Sequence, residues 1–543
     1  MQPRSCNWLS SDRAAKCFFV LGIALCVIFK FWLIQSEEIF GQPAVYDTLW
    51  YLNAANHCYW DATYSWTAFL RPPGYPLFIA LLRALGIPLR LGIEGFQIAG
   101  YAFLIYALRR AGLPRLGCLA LFAAALFHPC SFQVNNRVFS DTFYAGALVI
   151  FVAALILALV AEGVIVSILV GISCAVVWVT RDETVLLLPL LATWMLLLFV
   201  RKSVDTNWLQ AARACLSKVL PAFVTLTLLV SAVYLANYAT FGSFANSEIT
   251  SRSLRSAQRA LTRIKPPRVL QHVLITKEAL EMAYSASPTF AQLKPVFDGL
   301  IARAVAGDGL NGEIRGSWFR FALLIATNEA GFHRTPQDAR EFYENAAREI
   351  NQACTEHRIP CRDVYFDFFD PGTLQFLNEF PISFRRVCRD YTRGYAMLDL
   401  RDEPGLQAPQ KELYDTMALR RPELMQSGWV HDSRAVENWI GRNYGKLGWL
   451  LSILAIAGSI VTIAGKRRAF LKDALTGSAT TLFVAVAGRL ALFIYFDQYT
   501  AGSDERFIFP VMALWSAFAI VMAYCGMQTA RRLISASAIS RAS

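Results

Sequence analysis

Long apolar runs separated by short polar connectors make up most of this chain. One bilayer crossing takes about 20 mostly apolar residues. Ten stretches approach or meet that length: 17–33, 91–108, 115–131, 141–160, 163–179, 184–200, 219–238, 447–465, 474–495 and 507–527. An even number of crossings returns both chain ends to one side. The apolar run at 75–86 is too short to cross, carries Arg83 and ends at Pro88. That pattern predicts a helix lying in the interface, with a short re-entrant span as the alternative. Between 239 and 446 the pattern turns polar and helical. Thr335-Pro336 there opens a capped helix, with Thr at the N-cap and Pro at the first helical position. The expected organisation is a membrane module over 1–238 with a first external loop at 35–90. An external, largely helical soluble domain follows over 239–446, then closing membrane helices over 447–543. The expected fold class is therefore mainly α, polytopic, with about ten transmembrane helices and outer-face interface helices.

Composition agrees with this pattern: of 543 residues, 55% are apolar and only 17% charged, too apolar for a soluble domain. The basic residues set the orientation. Arg4, Arg13 and Lys16 precede the first span, and Arg109, Arg110 and Arg115 fill the second connection. Arg201, Lys202, Arg213 and Lys218 lie before the seventh span, Lys466, Arg467, Arg468 and Lys472 follow the eighth, and Arg531 and Arg532 follow the tenth. All fall on the side of the chain ends, so both termini are expected to be cytoplasmic. The same placement accounts for most of the +12 net charge, and no nucleic-acid partner is needed. The first apolar run lacks a small-residue cleavage site and ends in Phe31 and Trp32, as an uncleaved span would. An inner, cytoplasmic membrane is the expected location, with the polar domain facing out.

Cysteines add one constraint. Cys354 and Cys361 flank the turn TEHRIP in the external domain, where a disulfide is permitted; Cys388 is a second possible partner. The spacing does not resemble a zinc motif.

Candidate chemistry gathers at one end of the bundle. Asp47 opens an aromatic helix, YDTLWYLNAA, and Arg71 begins RPPGYPLF. Arg137 and Asp141 lie at the start of the fourth span, and Arg181, Asp182 and Glu183 in the turn between the fifth and sixth. Asp497, Asp504, Glu505 and Arg506 precede the last span, and Arg489 lies inside the ninth. Arginines in short outer loops run against the positive-inside trend, and a lipid phosphate would explain them, because a guanidinium fork matches phosphate oxygens. Local roles compete with that reading. Asp47 and Asp141 stand where helix N-caps would, Arg181 has Asp182 and Glu183 beside it, Arg506 has Asp504 and Glu505, and Arg489 lies within snorkelling reach of the boundary. In the external domain, Trp318, Phe319 and Arg320 suit a sugar, or belong to an amphipathic core helix.

These residues resemble the GT-C superfamily of membrane glycosyltransferases, in particular its protein O-mannosyltransferase and aminoarabinose transferase branch. YDTLWYLNAA, RPPGYPLFIALL, RVFSDTFYAG, WVTRDETVLLLPLL and DERFIFPVMALW carry the likeness, over about 17–200 and 495–527; the external domain lies outside it. The resemblance implies a polyprenyl-phosphate sugar donor, inverting transfer to an acceptor hydroxyl, and a glycan, lipid or protein as acceptor. By position, Asp47 looks like the catalytic base and Asp141 like a second acid. Arg71, Arg181, Arg489 and Arg506 look like substrate-binding groups. Many relatives have two adjacent acids where this chain has Asp47-Thr48, so no cofactor is certain. A divalent metal remains an option, with Asp141, His57 and Glu183 as conceivable ligands. Two other classes share the outer arginines. One is a transporter or flippase of a lipid-linked or anionic substrate, for which internal repeats and midplane charges would speak. The other is a polysaccharide polymerase or ligase with lipid-pyrophosphate donors, which need not rely on Asp47.

Overall fold

The computed structural model describes residues 12–35, 37–42, 46–61, 64–203, 206–305, 312–363, 380–392, 402–421, 423, 429–465, 473–499 and 505–542. Arg4, Lys466, Arg467, Arg468, Lys472 and Asp504 lie outside them. The chain is a polytopic helical membrane protein. Among the described residues, nine helices are long and apolar enough to cross a membrane.

The first half supplies α1 (Asp12–Ile34), α2 (Tyr46–Asn56), α3 (Gly74–Ala84), α4 (Leu89–Ala111), α5 (Arg115–Leu126), α6 (Pro129–Val134), α7 (Ser140–Val160), α8 (Val164–Trp178), α9 (Leu187–Lys202) and α10 (Trp208–Phe241). Punctuation follows the sequence. Pro88 precedes α4, and Gly112, at φ +111°, closes it in the left-handed conformation that glycine adopts freely. The expected third span, one crossing over Arg115–Val134 in the count above, carries an internal break between α5 and α6, because Pro129 cannot donate to the helical ladder and His128 Nδ1 instead accepts from the Cys130 N–H. The expected fifth span is α8, only 15 residues or roughly 22 Å long, shorter than the other crossings. Nearly all of α7 is buried. It is the central post of the bundle, packed against α4 and α8 and against two closing helices introduced below.

The polar segment forms α11 (Arg252–Arg263), α12 (Lys277–Ala286), α13 (Pro288–Ala291), α14 (Lys294–Val305), α15 (Gly316–Glu329) and α16 (Pro336–Thr355). Leu254, Leu261, Phe297, Phe319, Leu323 and Ile350 build a separate core there. Thr335 caps α16 by accepting from the Asp338 N–H at 3.1 Å. The cysteine alternative resolves to Cys354–Cys361, with Cα atoms 5.5 Å apart. The 239–446 segment is not one layer, however. Its last two helices, α17 (Phe380–Thr392) and α18 (Ala408–Ala418), pack back onto the membrane module. Val387 joins the membrane core, and Tyr414 and Met417 join Tyr51, Tyr75 and Ile79 between α2 and α3.

The chain closes with α19 (Trp429–Gly465), α20 (Ala474–Tyr499) and α21 (Glu505–Ala542). Helices α19 and α21 run side by side at the close range that small residues permit: a Cβ on Gly526 would lie 2.6 Å from the Gly458 Cα.

Candidate active site

The site grows from the first turn of α2. Asp47 projects there toward Arg71, which sits immediately before the rigid Pro72-Pro73 pair. Arg71 donates from Nε to Asp47 Oδ1 at 3.1 Å and also from Nη2 to the same oxygen. Both bonds fall on Oδ1; Asp47 Oδ2 makes no hydrogen bond to the described residues. Burial disfavours the Asp47 carboxylate, but the charges of Arg71, Arg506 and Arg181 together with the Arg71 hydrogen bond outweigh it. They hold the carboxyl below its ordinary range. The acid is ionised, half-buried and open on one oxygen.

A second constellation lies at the start of α7. Phe139, not Asp141, is the N-cap of that helix, so Asp141 does not take the capping role. Its Oδ1 lies 2.6 Å from Arg181 Nη1 and 3.8 Å from Arg489 Nη2. Glu183 Oε1 accepts from Arg181 Nη2 at 2.6 Å, and Glu183 Oε2 accepts from Arg489 Nη1. Two carboxylates and two guanidiniums thus close a balanced buried network that ties together α7, the turn after α8, and α20. It touches the Asp47 helix through Ser140, which accepts from Arg181 Nη1 at 3.2 Å and from the Tyr51 hydroxyl at 2.9 Å.

Asp182 turns elsewhere. It accepts from Ser247 Oγ at 3.0 Å and from Asn246 Nδ2 at 3.2 Å, so the Arg181–Asp182 pairing open in the sequence gives way to Arg181 with Glu183 and Asp141. Burial pushes the Asp182 carboxyl up, against the lowering charge of Arg71. Arg506 lies over the rings of Phe139 and Phe507, at 4.7 and 4.6 Å. Arg137 comes to Phe139 as well, at 5.9 Å, and to Phe40 at 5.0 Å. Asp497 accepts from Arg386 of α17 at 3.0 Å. Arg71, Arg181 and Arg489, expected at a substrate phosphate, therefore carry carboxylates in this structure.

Among the described residues, no group of three or more His, Cys, Asp or Glu is placed to hold a metal ion. Asp141 and Glu183 face guanidiniums, whose positive charge opposes a cation there. The donor set does not fit a metal, and no chemical step is assigned to one.

Sequence reasoning passed over a second buried network. Lys30 of α1 lies 3.5 Å from Glu94 Oε1 and 3.0 Å from Ser131 Oγ. Arg90 bonds Glu94 at 2.7 Å and reaches Glu37 and Asn136, while Asn135 donates to Glu94 at 2.9 Å. Two signals were available: a lysine inside an apolar run, and an Arg-Glu pair one helical turn apart.

Glu248, whose N–H donates to the Phe69 carbonyl at 2.7 Å, joins the polar domain to the first loop. Burial pushes its carboxyl up to about 7. Folding therefore takes up a proton here between the ordinary carboxylate range and pH 7, and stability falls as pH rises through that window. Thermal melts from pH 5 to 8 are expected to show this slope, and Glu248→Gln to flatten it. An equal slope in the variant would place the proton elsewhere.

No family model and no curated protein matches the sequence. Two solved structures resemble the fold loosely. ArnT from Cupriavidus metallidurans bound to undecaprenyl phosphate is 14% identical, with 97% of this chain and 80% of that chain covered and a TM-score of 0.33. Its apo state is 12% identical, with 95% and 78% covered and a TM-score of 0.30. Likeness of this degree decides nothing about chemistry.

Proposed function

We propose that this chain is a membrane glycosyltransferase that moves a sugar from a polyprenyl-phosphate donor to an acceptor hydroxyl. The observation that carries the reading is Asp47: an ionised carboxylate fixed through one oxygen by Arg71, open at the other, and surrounded by the charges of Arg506 and Arg181. Sugar transfer from a lipid phosphate needs a base for the acceptor proton and positive charge for the departing phosphate. Both are present within one cluster.

In this mechanism Asp47 Oδ2 takes the proton of the acceptor hydroxyl as the hydroxyl oxygen attacks the anomeric carbon. The bond from that carbon to the phosphate oxygen breaks, and the phosphate leaves with the electron pair. Its negative charge is met by Arg506 and Arg137, whose guanidiniums share the Phe139 ring. Arg71 orients the base, while Arg181 and Arg489 hold Asp141 and Glu183 in place and add to the positive field. Asp141, enclosed between two guanidiniums, is poorly placed to serve as a nucleophile. With Asp47 acting as base and Asp141 held by guanidiniums, the residues support a single displacement with inversion over a double displacement through a carboxylate nucleophile. The distribution of the basic residues supports an orientation with this end of the bundle on the outer face of the cytoplasmic membrane and both termini inside.

Purified protein in lipid nanodiscs, given radiolabelled polyprenyl-phosphate sugars and a membrane extract as acceptor source, is expected to release polyprenyl phosphate. Release from pyrophosphate-linked donors alone would instead make it a polymerase or ligase. No release from any donor would return the reading to transport.

A further inference from the structure

Helix α15 carries rings into the polar-domain core, at its edge toward the first loop, and on its surface. Phe319, Ala322, Leu323 and Ala326, at helical spacing, are buried inside the polar domain. Phe321, half-buried, packs against the edge of that core together with Trp50 and Trp66, and Trp318, three residues before it, lies outside. Trp318 is 43% exposed, and its ring lies 5.5 Å from Phe321. Phe321 in turn stacks on Trp50 at 5.9 Å, and Trp50 meets Trp66 edge-on at 5.5 Å. Trp50 lies one turn after Asp47 on α2, on the same face. The guanidinium of Arg71, which holds Asp47, lies 5.1 Å from the centre of the Phe321 ring. A continuous strip of rings therefore runs from an exposed tryptophan to the arginine that fixes the proposed base.

Trp318 is exposed while Phe321 and Trp50 are half-buried, and a polar pair borders them: Arg320 of the same helix bonds Gln258. An aromatic face edged by donors and acceptors fits a pyranose, which presents an apolar C–H face and a rim of hydroxyls. We infer that the acceptor is a glycan, and that Trp318, backed by the packed pair Phe321 and Trp50, is the ring on which a sugar of that acceptor stacks. This rests on the glycosyltransferase reading, in which the acceptor hydroxyl must reach Asp47.

The test uses full-length protein in nanodiscs and two probes: oligosaccharides released by mild acid from bacterial membranes, and serine-containing decapeptides. Binding is read by tryptophan fluorescence, and transfer by label moving from a polyprenyl-phosphate sugar. Oligosaccharides are expected to quench the fluorescence and accept label. Trp318→Ala and Phe321→Ala are expected to raise the oligosaccharide KM by about tenfold or more, and Trp318→Phe to restore most of it. A merely structural role would not be rescued in this way. Label reaching the peptides alone, or an oligosaccharide KM unmoved in both alanine variants, overturns the stacking site and leaves the enzyme. Quenching lost in Trp318→Ala, with no donor consumed by wild type, keeps the stacking site and removes the proposed donor chemistry.

Discussion

Asp47→Asn is expected to lower turnover by about 10²–10⁴-fold, the range a positioned general base contributes, with little change in folding. Asparagine keeps the shape of the side chain and still offers Oδ1 to Arg71, so the loop geometry survives while the proton acceptor is lost. The pH profile supplies a second readout. Burial opposes the Asp47 carboxylate and the charges of Arg71, Arg506 and Arg181 more than compensate. The folded carboxyl thus lies below its unfolded value, and the pair's stabilisation is present above the unfolded value and lost as pH falls through the folded one. The acid limb of kcat/KM is expected below the ordinary carboxylate range, and Arg506→Leu should move it upward. Polyprenyl-phosphate release by Asp47→Asn within a few-fold of wild type would remove Asp47 from the mechanism.

Arg489→Leu is expected to destabilise the protein by about 3–5 kcal/mol, the cost of breaking a buried ion pair from one side. Arg489 is almost fully enclosed and bonds Glu183, while its Nε donates to the Phe507 carbonyl. Removing it leaves Asp141 and Glu183 sharing the single guanidinium of Arg181. Arg489→Leu combined with Glu183→Leu restores balance, with Arg181 against Asp141, and should recover much of the loss. Thermal unfolding of the two single variants and the double variant in detergent measures the coupling. If Arg489→Leu melts with wild type and raises the donor KM instead, Arg489 is a ligand for the lipid phosphate and not a structural tie.

The capped helix after Thr335, the apolar runs, the interface-length helix at α3 and the position of Asp47 in a first turn were all legible in the sequence. Each depends on neighbours a few residues away: a missing proline N–H, a side-chain oxygen within one turn, the length of an uncharged run. The break between α5 and α6 was also legible, in Pro129, though the run around it reads as one span. Helix α15 shows the limit. Its spacing separates Phe319 from Trp318 and Phe321, yet nothing local says that Phe321 meets Trp50, a residue from the other module. Charges were legible as a set but not as pairs. The chain places Arg181 beside Asp182 and Glu183, and only packing decides that Glu183 and Asp141 receive it while Asp182 holds Ser247 and Asn246. Similarly, Lys30, Arg90, Glu94 and Glu37 come from separate segments and meet only when the first spans pack together. A buried charge is tolerable only when opposed. The sequence by itself thus determined which residues carry charge at this end of the bundle, and tertiary packing, which alone brings distant segments within hydrogen-bond reach, decided which of them neutralise one another and which oxygen of Asp47 stays open.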